Sequence, residues 1–226
     1  SYTLYLSYAG LFAFGYTDGI YLKYGGYQIT KLNKDELNKD FFTYFIFQLV
    51  IVLAILLGAI LKKNDLIIAF SIGLWITNLG GYFKMLYQAT GVFGKYGMAL
   101  NLEKFAIFFV NVLLIFLVST DTSSFYLAAQ ILGSLITLIY FFYTYKEYCP
   151  HKIEPKFSFN TLWANIQSGF ILTIGSASDI LFTGLDRWFV KILMGSREFA
   201  LYSFAVSLQN IISTFTAPIS ITFYNY

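Results

Sequence analysis

The stretch Leu49–Leu61, which reads LVIVLAILLGAIL, is continuously apolar and closes the uncharged segment Phe41–Leu61. A helix of about 20 such residues crosses the roughly 30 Å of hydrocarbon in a bilayer. Backbone groups must be paired in lipid, so only helices and closed barrels can span it. A barrel strand would alternate apolar and polar residues over about 10 positions. This stretch does not alternate, so we expect a transmembrane helix.

Six further apolar runs flank this one and predict an all-α, polytopic transmembrane helix bundle. The seven expected helices are A (Tyr2–Tyr24), B (Phe41–Leu61), C (Leu66–Tyr87), D (Leu100–Thr120), E (Phe125–Tyr145), F (Leu162–Met194) and G (Phe199–Tyr226). The composition agrees, with 58% hydrophobic and 12% charged residues and a mean hydropathy of +0.64. Soluble domains average about 45–50% apolar and about 25% charged residues. A soluble domain and a disordered chain are therefore excluded.

Several functional classes lack their sequence signals. The net charge is +3 and the basic residues are scattered, which argues against a nucleic-acid partner. The single Cys149 excludes an intrachain disulfide, and the single His151 has no companions at metal-ligand spacing. The sequence contains no phosphate-binding P-loop motif. We therefore expect no metal and no cofactor.

The distribution of Lys and Arg predicts the orientation, because short loops rich in these residues stay in the cytoplasm. Ten basic residues lie on the A–B, C–D and E–F side, against three on the other side. Ser1 is then expected on the outer face. Both ends look cut, since residue 1 is not Met and Tyr226 ends an apolar run. We expect a fragment that lacks an odd number of upstream helices, most simply one.

A few charged residues inside apolar segments are the candidate functional residues. A charge at the bilayer centre costs about 2.5–3.5 kcal/mol and usually faces a bundle interior or a water-filled cavity. Snorkelling to the headgroups and a buried interhelical hydrogen bond are the alternatives. The candidates are Asp18 and Lys23 in helix A and Asp179, Asp186 and Arg187 in helix F.

Aromatic residues make up 21% of the chain. Tyr and Trp gather at membrane interfaces, and Phe faces lipid well. We assign most of them to the lipid-facing surface and to interfacial belts, with Tyr140–Tyr145 (YFFYTY) as one such belt.

Three stretches resemble the polysaccharide-exporter branch of the multidrug/oligosaccharidyl-lipid/polysaccharide flippase superfamily. Gly15–Gly26 (GYTDGIYLKYGG) is similar to the end of that family's second helix. Asn78–Gly91 is similar to its fourth helix and the following loop. Gly184–Gly195 (GLDRWFVKILMG), continuing into Phe199–Ala205, resembles its seventh helix and the start of its eighth.

The resemblance implies a fold of twelve or more helices in two lobes around a central cavity. Helices A–E would be the second to sixth, and F and G the seventh and eighth. Residues 1–145 would then form the N-terminal lobe, 146–161 a cytoplasmic linker, and 162–226 the start of the C-terminal lobe. The family's cavity is lined partly by its first, second, seventh and eighth helices. All five candidate residues would therefore lie on cavity-side elements.

The resemblance also implies a function in the bacterial inner membrane. The protein would be a flippase, not an enzyme, that moves undecaprenyl-pyrophosphate-linked oligosaccharide for O-antigen or capsule assembly. Its partners would be the bilayer, the lipid-linked oligosaccharide and polysaccharide assembly proteins, with coupling to H+ or Na+ left open. Three alternatives remain: a cation-coupled multidrug or small-solute antiporter of the same superfamily, a membrane-embedded polysaccharide polymerase or transferase, and a structural scaffold.

Overall fold

The computed structural model describes residues 8–114, 116, 123–149, 156–195, 197–206 and 208, and every regular element within these ranges is helical. The helices are α1 (Tyr16–Tyr24), α2 (Lys34–Leu61), α3 (Asp65–Ala89), α4 (Phe93–Leu113), α5 (Ser123–Tyr148) and α6 (Phe159–Met194), with 3-10 turns at Ala9–Ala13 and Ile29–Lys31. Helices α2, α3 and α4 and the Ala128–Tyr148 part of α5 are long and apolar enough to cross a membrane. The predicted all-α membrane fold is thus confirmed for this part of the chain.

Helix A was predicted as one continuous helix from Tyr2 to Tyr24, and that prediction is wrong. The 3-10 turn Ala9–Ala13 is followed by Phe14 with φ 50° and Gly15 with φ 84°, and only then does α1 begin. Two consecutive left-handed residues cannot continue a right-handed helix. Residues 2–7 lie outside the described part of the chain.

The break in helix A leaves backbone groups that another helix satisfies. Gln48 of α2 donates from Nε2 to the carbonyl oxygen of Phe12 at 2.9 Å. Gln48 is itself held by Asn78 of α3, whose Nδ2 donates to Gln48 Oε1 at 2.9 Å. Irregular backbone at membrane depth is tolerated where protein buries and pairs it.

The start of helix B was predicted at Phe41, but α2 begins seven residues earlier, at Lys34. The Asn33 side chain accepts a hydrogen bond from the backbone N–H of Asp35 and so caps the helix. Asp35 and Glu36 occupy the first turn, where carboxylates interact favourably with the helix dipole. Capping, rather than hydrophobicity, therefore fixes where this helix begins.

The remaining predicted helices differ less from the structure. Helices C, E and F each begin and end within three residues of α3, α5 and α6. Helix D begins earlier than predicted, at Phe93, and residues 115 and 117–120 lie outside the described part. For helix G, residues 199–206 and 208 are helical, and the rest of the predicted span is not described.

Helix α3 is the central helix of the bundle and packs against α1, α2, α4 and α5. Its Tyr82 stacks on Tyr44 of α2 with ring centroids 5.7 Å apart, and Tyr44 stacks on Tyr16 of α1 at 4.9 Å. Phe83 of α3 stacks on Phe141 of α5 at 5.7 Å. All five rings are fully buried. Stacked aromatic rings therefore form much of the core.

The assignment of most aromatics to lipid and belts is thus wrong for the core rings. In the predicted belt Tyr140–Tyr145, Phe141 and Tyr145 are buried, and Tyr143 is exposed. A tyrosine ring fills space between helices while its hydroxyl finds a polar partner, as when Tyr44 donates to the carbonyl oxygen of Asn78 at 3.3 Å.

The chain divides into two compact units, Ser1–Gly175 and Ser176–Tyr226. In the first unit, Ser158 caps the start of α6 by accepting a hydrogen bond from the Thr161 N–H at 3.3 Å. In the second unit, Gly195 with φ 89° follows the last residue of α6, and residues 197–206 are helical. The predicted lobes and the linker 146–161 remain predictions, and residues 150–155 lie outside the described part.

Candidate functional site

Helices α1 and α6 cross with their backbones in direct contact. A Cβ atom placed on Gly19 would lie 2.0 Å from the carbonyl oxygen of Asn165, and one placed on Gly169 would lie 2.0 Å from that of Gly15. Gly15 and Gly19 are four residues apart, the spacing at which small residues let membrane helices approach closely. Glycine is therefore required on both sides of the crossing.

Asp18 lies at this crossing and is partly buried. Its Oδ2 accepts a hydrogen bond of 2.6 Å from Thr173 Oγ1 on α6. The carboxylate is also in the first turn of α1, where it interacts favourably with the helix dipole. Asp18 thus binds α1 to α6.

Lys23, in the last turn of α1, forms two ion pairs with α2. Its Nζ lies 2.8 Å from Asp40 Oδ2 and 2.8 Å from Glu36 Oε1. The Lys23 side chain is 28% exposed, whereas that of Asp40 is fully buried. These pairs hold the end of α1 against the first two turns of α2.

Asp40 is the most deeply buried carboxylate of this cluster. Its Oδ2 accepts a second hydrogen bond, of 2.6 Å, from the Tyr24 hydroxyl, and its backbone carbonyl accepts one of 2.8 Å from Tyr16. Its Oδ1 has no hydrogen-bond partner within the described residues. A buried charge is strongly destabilising unless it is paired, so the Lys23 ammonium stabilises Asp40.

Asp40 was not singled out from the sequence, because this residue lies just before the apolar run that begins at Phe41. A signal for it does exist in the sequence. Leu37, Phe41 and Tyr44 follow helical spacing and are all buried, and Asp40 falls on the same face. Together with the capping residue Asn33, this pattern indicates that the helix begins before Phe41 and that Asp40 faces the core of the bundle.

A pocket of about 520 Å3 opens between the end of α1 and the first three turns of α6. Most of its lining side chains are uncharged and polar. The lining residues are Leu22, Lys23, Asn160, Thr161, Ala164, Asn165 and Ser168. Lys23 is therefore shared between the ion pairs with α2 and the wall of this pocket.

The other three candidate residues belong to the second unit, which is described by itself. Asp179 is an exposed residue of α6, and Asp186 accepts a hydrogen bond from the Tyr202 hydroxyl. Arg187 lies within α6, and its side chain is outside the described part of the structure. The shared cavity expected for all five residues therefore remains a prediction.

Metal ligation has no support in the described ranges, where no group of three His, Cys, Asp or Glu residues is placed to hold an ion. The Cys149 thiol is buried just after α5. His151 lies outside the described residues.

A family model described as "Polysaccharide biosynthesis protein" matches residues 40–224. The chain belongs to that family. No curated protein and no solved structure matches it. Within the described residues, four helices of this polysaccharide biosynthesis protein are long and apolar enough to cross a membrane, as in a multi-pass membrane protein. The matched segment includes Asp40 and α3 to α6, while Asp18 and Lys23 precede it.

Proposed function

We propose that this polysaccharide biosynthesis protein is a flippase for undecaprenyl-pyrophosphate-linked oligosaccharides in the bacterial inner membrane. The observation that carries the proposal is the match of this family to a chain built from membrane-spanning helices. An oligosaccharide cannot cross hydrocarbon unaided, because each unpaired hydroxyl costs several kcal/mol there. A bundle of apolar helices with polar groups between them provides hydrogen-bond partners for the sugar hydroxyls across the membrane.

The proposed reaction is transport, and no covalent bond is made or broken. The N-terminal lobe at 1–145 and the C-terminal lobe that starts at 162 would rock against each other and open the substrate path to one side at a time. The charged candidates on helices A and F would line this path. Arg187 would bind the pyrophosphate, since a guanidinium can hold phosphate oxygens in a bidentate manner.

The proposal is tested in a strain that lacks the gene and is complemented with the complete gene. Arg187→Gln should abolish surface polysaccharide and cause lipid-linked oligosaccharide to accumulate in the cytoplasmic leaflet, while the amount of protein in the membrane stays normal. Arg197→Gln is the matched control, because Arg197 is the other arginine of the chain and lies on the exposed side of residues 197–206. It should restore polysaccharide fully.

Other outcomes would support the rival functions. Normal surface polysaccharide in the deletion strain, together with loss of cation-dependent dye efflux, would replace the proposal with a multidrug antiporter. Formation of glycosidic bonds by the purified protein would replace it with a polymerase or transferase. Normal polysaccharide in the Arg187→Gln strain alone would remove Arg187 from the mechanism.

A further inference from the structure

We propose that the pocket between α1 and α6 binds the uncharged sugar units of the transported molecule, and not its pyrophosphate. This inference rests on the proposed function. It assigns a binding site to Lys23 and four polar residues of α6, namely Asn160, Thr161, Asn165 and Ser168.

The charge at the pocket disfavours an anionic ligand. Lys23 is the only basic residue that lines it among the described residues, and both Asp40 and Glu36 lie 2.8 Å from the Lys23 ammonium. One ammonium and two carboxylates leave this cluster with a net negative charge. The positive charge of Lys23 is already neutralised by these carboxylates. A phosphate in the pocket would therefore be repelled by the remaining negative charge of the cluster.

The hydrogen-bonding groups of the pocket suit sugar hydroxyls. Amide and hydroxyl side chains both donate and accept, as sugar hydroxyls do, so the two can pair in either direction. Asn160, Thr161, Asn165 and Ser168 lie on one side of the first three turns of α6 and line the pocket together. Leu22 and Ala164 add the apolar surface on which the C–H face of a sugar ring packs.

Asn165 belongs to the buried wall of the pocket. The residue is 4% exposed, and its side chain adjoins the Tyr16 phenol, which donates to the carbonyl oxygen of Asp40. The exposed Asn160 and Ser168 therefore present the polar groups that a sugar hydroxyl would meet.

The pocket is also held in shape before any ligand arrives. Directly beside it, the contact of Gly19 with Asn165 fixes α1 on α6. Ser168 donates to the Asn165 carbonyl oxygen at 3.0 Å, and Thr161 donates to Ser158 Oγ at 3.0 Å. A preformed site loses less conformational entropy on binding. The volume of about 520 Å3 falls in the range of roughly 300–1,000 Å3 that is typical of small-molecule sites.

A cysteine-protection experiment tests the inference on the complete protein in detergent. Ser168→Cys is introduced after Cys149 and any cysteine outside residues 1–226 have been replaced by serine. The rate of maleimide alkylation is then measured with two probes. One is the neutral oligosaccharide released by mild acid from the organism's own lipid-linked pool, and the other is inorganic pyrophosphate.

The oligosaccharide should slow the alkylation of Ser168→Cys by about tenfold at roughly ten times its Kd, whereas pyrophosphate should leave the rate unchanged. Gln167→Cys is the matched control, because Gln167 is the exposed neighbour of Ser168 and does not line the pocket. Its rate should not respond to either probe. Protection of Ser168→Cys by pyrophosphate, or by neither probe, would overturn the inference.

A second variant checks that protection comes from the pocket. Ala164→Phe places a ring in the pocket and should abolish the protection of Ser168→Cys by oligosaccharide. Protection that survives this change would also overturn the assignment.

The inference and the proposed function fail in different experiments. If the oligosaccharide gives no protection while deletion of the gene still abolishes surface polysaccharide, the sugar site is wrong and the flippase stands. If protection is observed while the deletion strain keeps its polysaccharide, the sugar site stands and the flippase is wrong.

Discussion

The ammonium of Lys23 lies 2.8 Å from the carboxylate of Asp40, whose side chain is fully buried. The two residues lie on different helices, and Tyr24 donates a further hydrogen bond of 2.6 Å to the same carboxylate oxygen. Removal of the lysine would leave a buried carboxylate without its counter-charge. The pair therefore affects stability more through the cost of breaking it than through its own attraction.

Lys23→Met should lower the free energy of unfolding by about 3 kcal/mol, because it leaves Asp40 charged and unpaired in the core. The double variant Lys23→Met/Asp40→Asn should recover most of that loss, since Asn still accepts the hydrogen bond from Tyr24. Unfolding midpoints of the purified protein in one detergent provide the measurement. Lys31→Met is the control at an exposed lysine and should leave the midpoint unchanged. A double variant no more stable than Lys23→Met would contradict the explanation.

Gly19→Ala should separate α1 from α6, because the added methyl group would lie 2.0 Å from the carbonyl oxygen of Asn165, where only a backbone shift can make room. Loss of thermal stability and loss of complementation in the deletion strain are the expected results. Gly80→Ala is the matched control, since a Cβ at Gly80 in α3 meets nothing within 4 Å. It should be neutral or stabilise by about 0.5–1 kcal/mol through helix propensity. A Gly19→Ala protein as stable as Gly80→Ala would refute the close crossing.

The hydrogen bond from Thr173 to Asp18 should appear as a coupling of about 1.5–3 kcal/mol in a double-mutant cycle of Asp18→Ala and Thr173→Val. Asp18→Ala removes the acceptor, and Thr173→Val keeps the shape and removes the donor. As a control, Thr137→Val removes a threonine hydroxyl that donates to its own helix at Gly133. Its effect should add to that of Asp18→Ala. Simple additivity of the Asp18 and Thr173 variants would show that the bond contributes nothing.

The Cys149 thiol should react slowly with iodoacetamide in the folded protein, because burial raises its pKa and the thiolate is the nucleophile. Its rate should keep rising with pH beyond the point at which an ordinary thiol, with a pKa of about 8.5, has levelled off. Lys146→Cys in a Cys149→Ser background is the exposed comparison, three residues away in the last turn of α5. Equal rates and equal pH profiles at the two positions would contradict the buried environment.

The length of the apolar runs was enough to predict most of the helices. Bilayer thickness fixes the number of apolar residues that a spanning helix needs, so helices C, E and F were found within three residues of their ends. Hydrophobicity carries no information on backbone dihedrals, however. The break at Phe14 and Gly15 was missed for that reason, although Gly15 is the type of residue that accepts a positive φ.

The candidate site was predictable only in part. Lys23 and Asp18 stood out as charges near apolar segments, but their partners depend on packing between distant segments. Thr173 is 155 residues from Asp18 along the chain. Asp40 fell just outside predicted helix B, because the apolar run begins one residue later. The helix begins earlier because Asn33 caps it, a local effect that hydropathy does not include.

Only seventeen positions separate Lys23 from Asp40 along the chain. The ammonium and the carboxylate can therefore meet as soon as the first turns of α2 follow α1 out of the ribosome, well before α5 has been synthesised. Membrane-insertion machinery that receives α1 and α2 together would then insert two charges that already neutralise each other. Early pairing would give α1 and α2 a fixed arrangement against which the later helices pack during biogenesis.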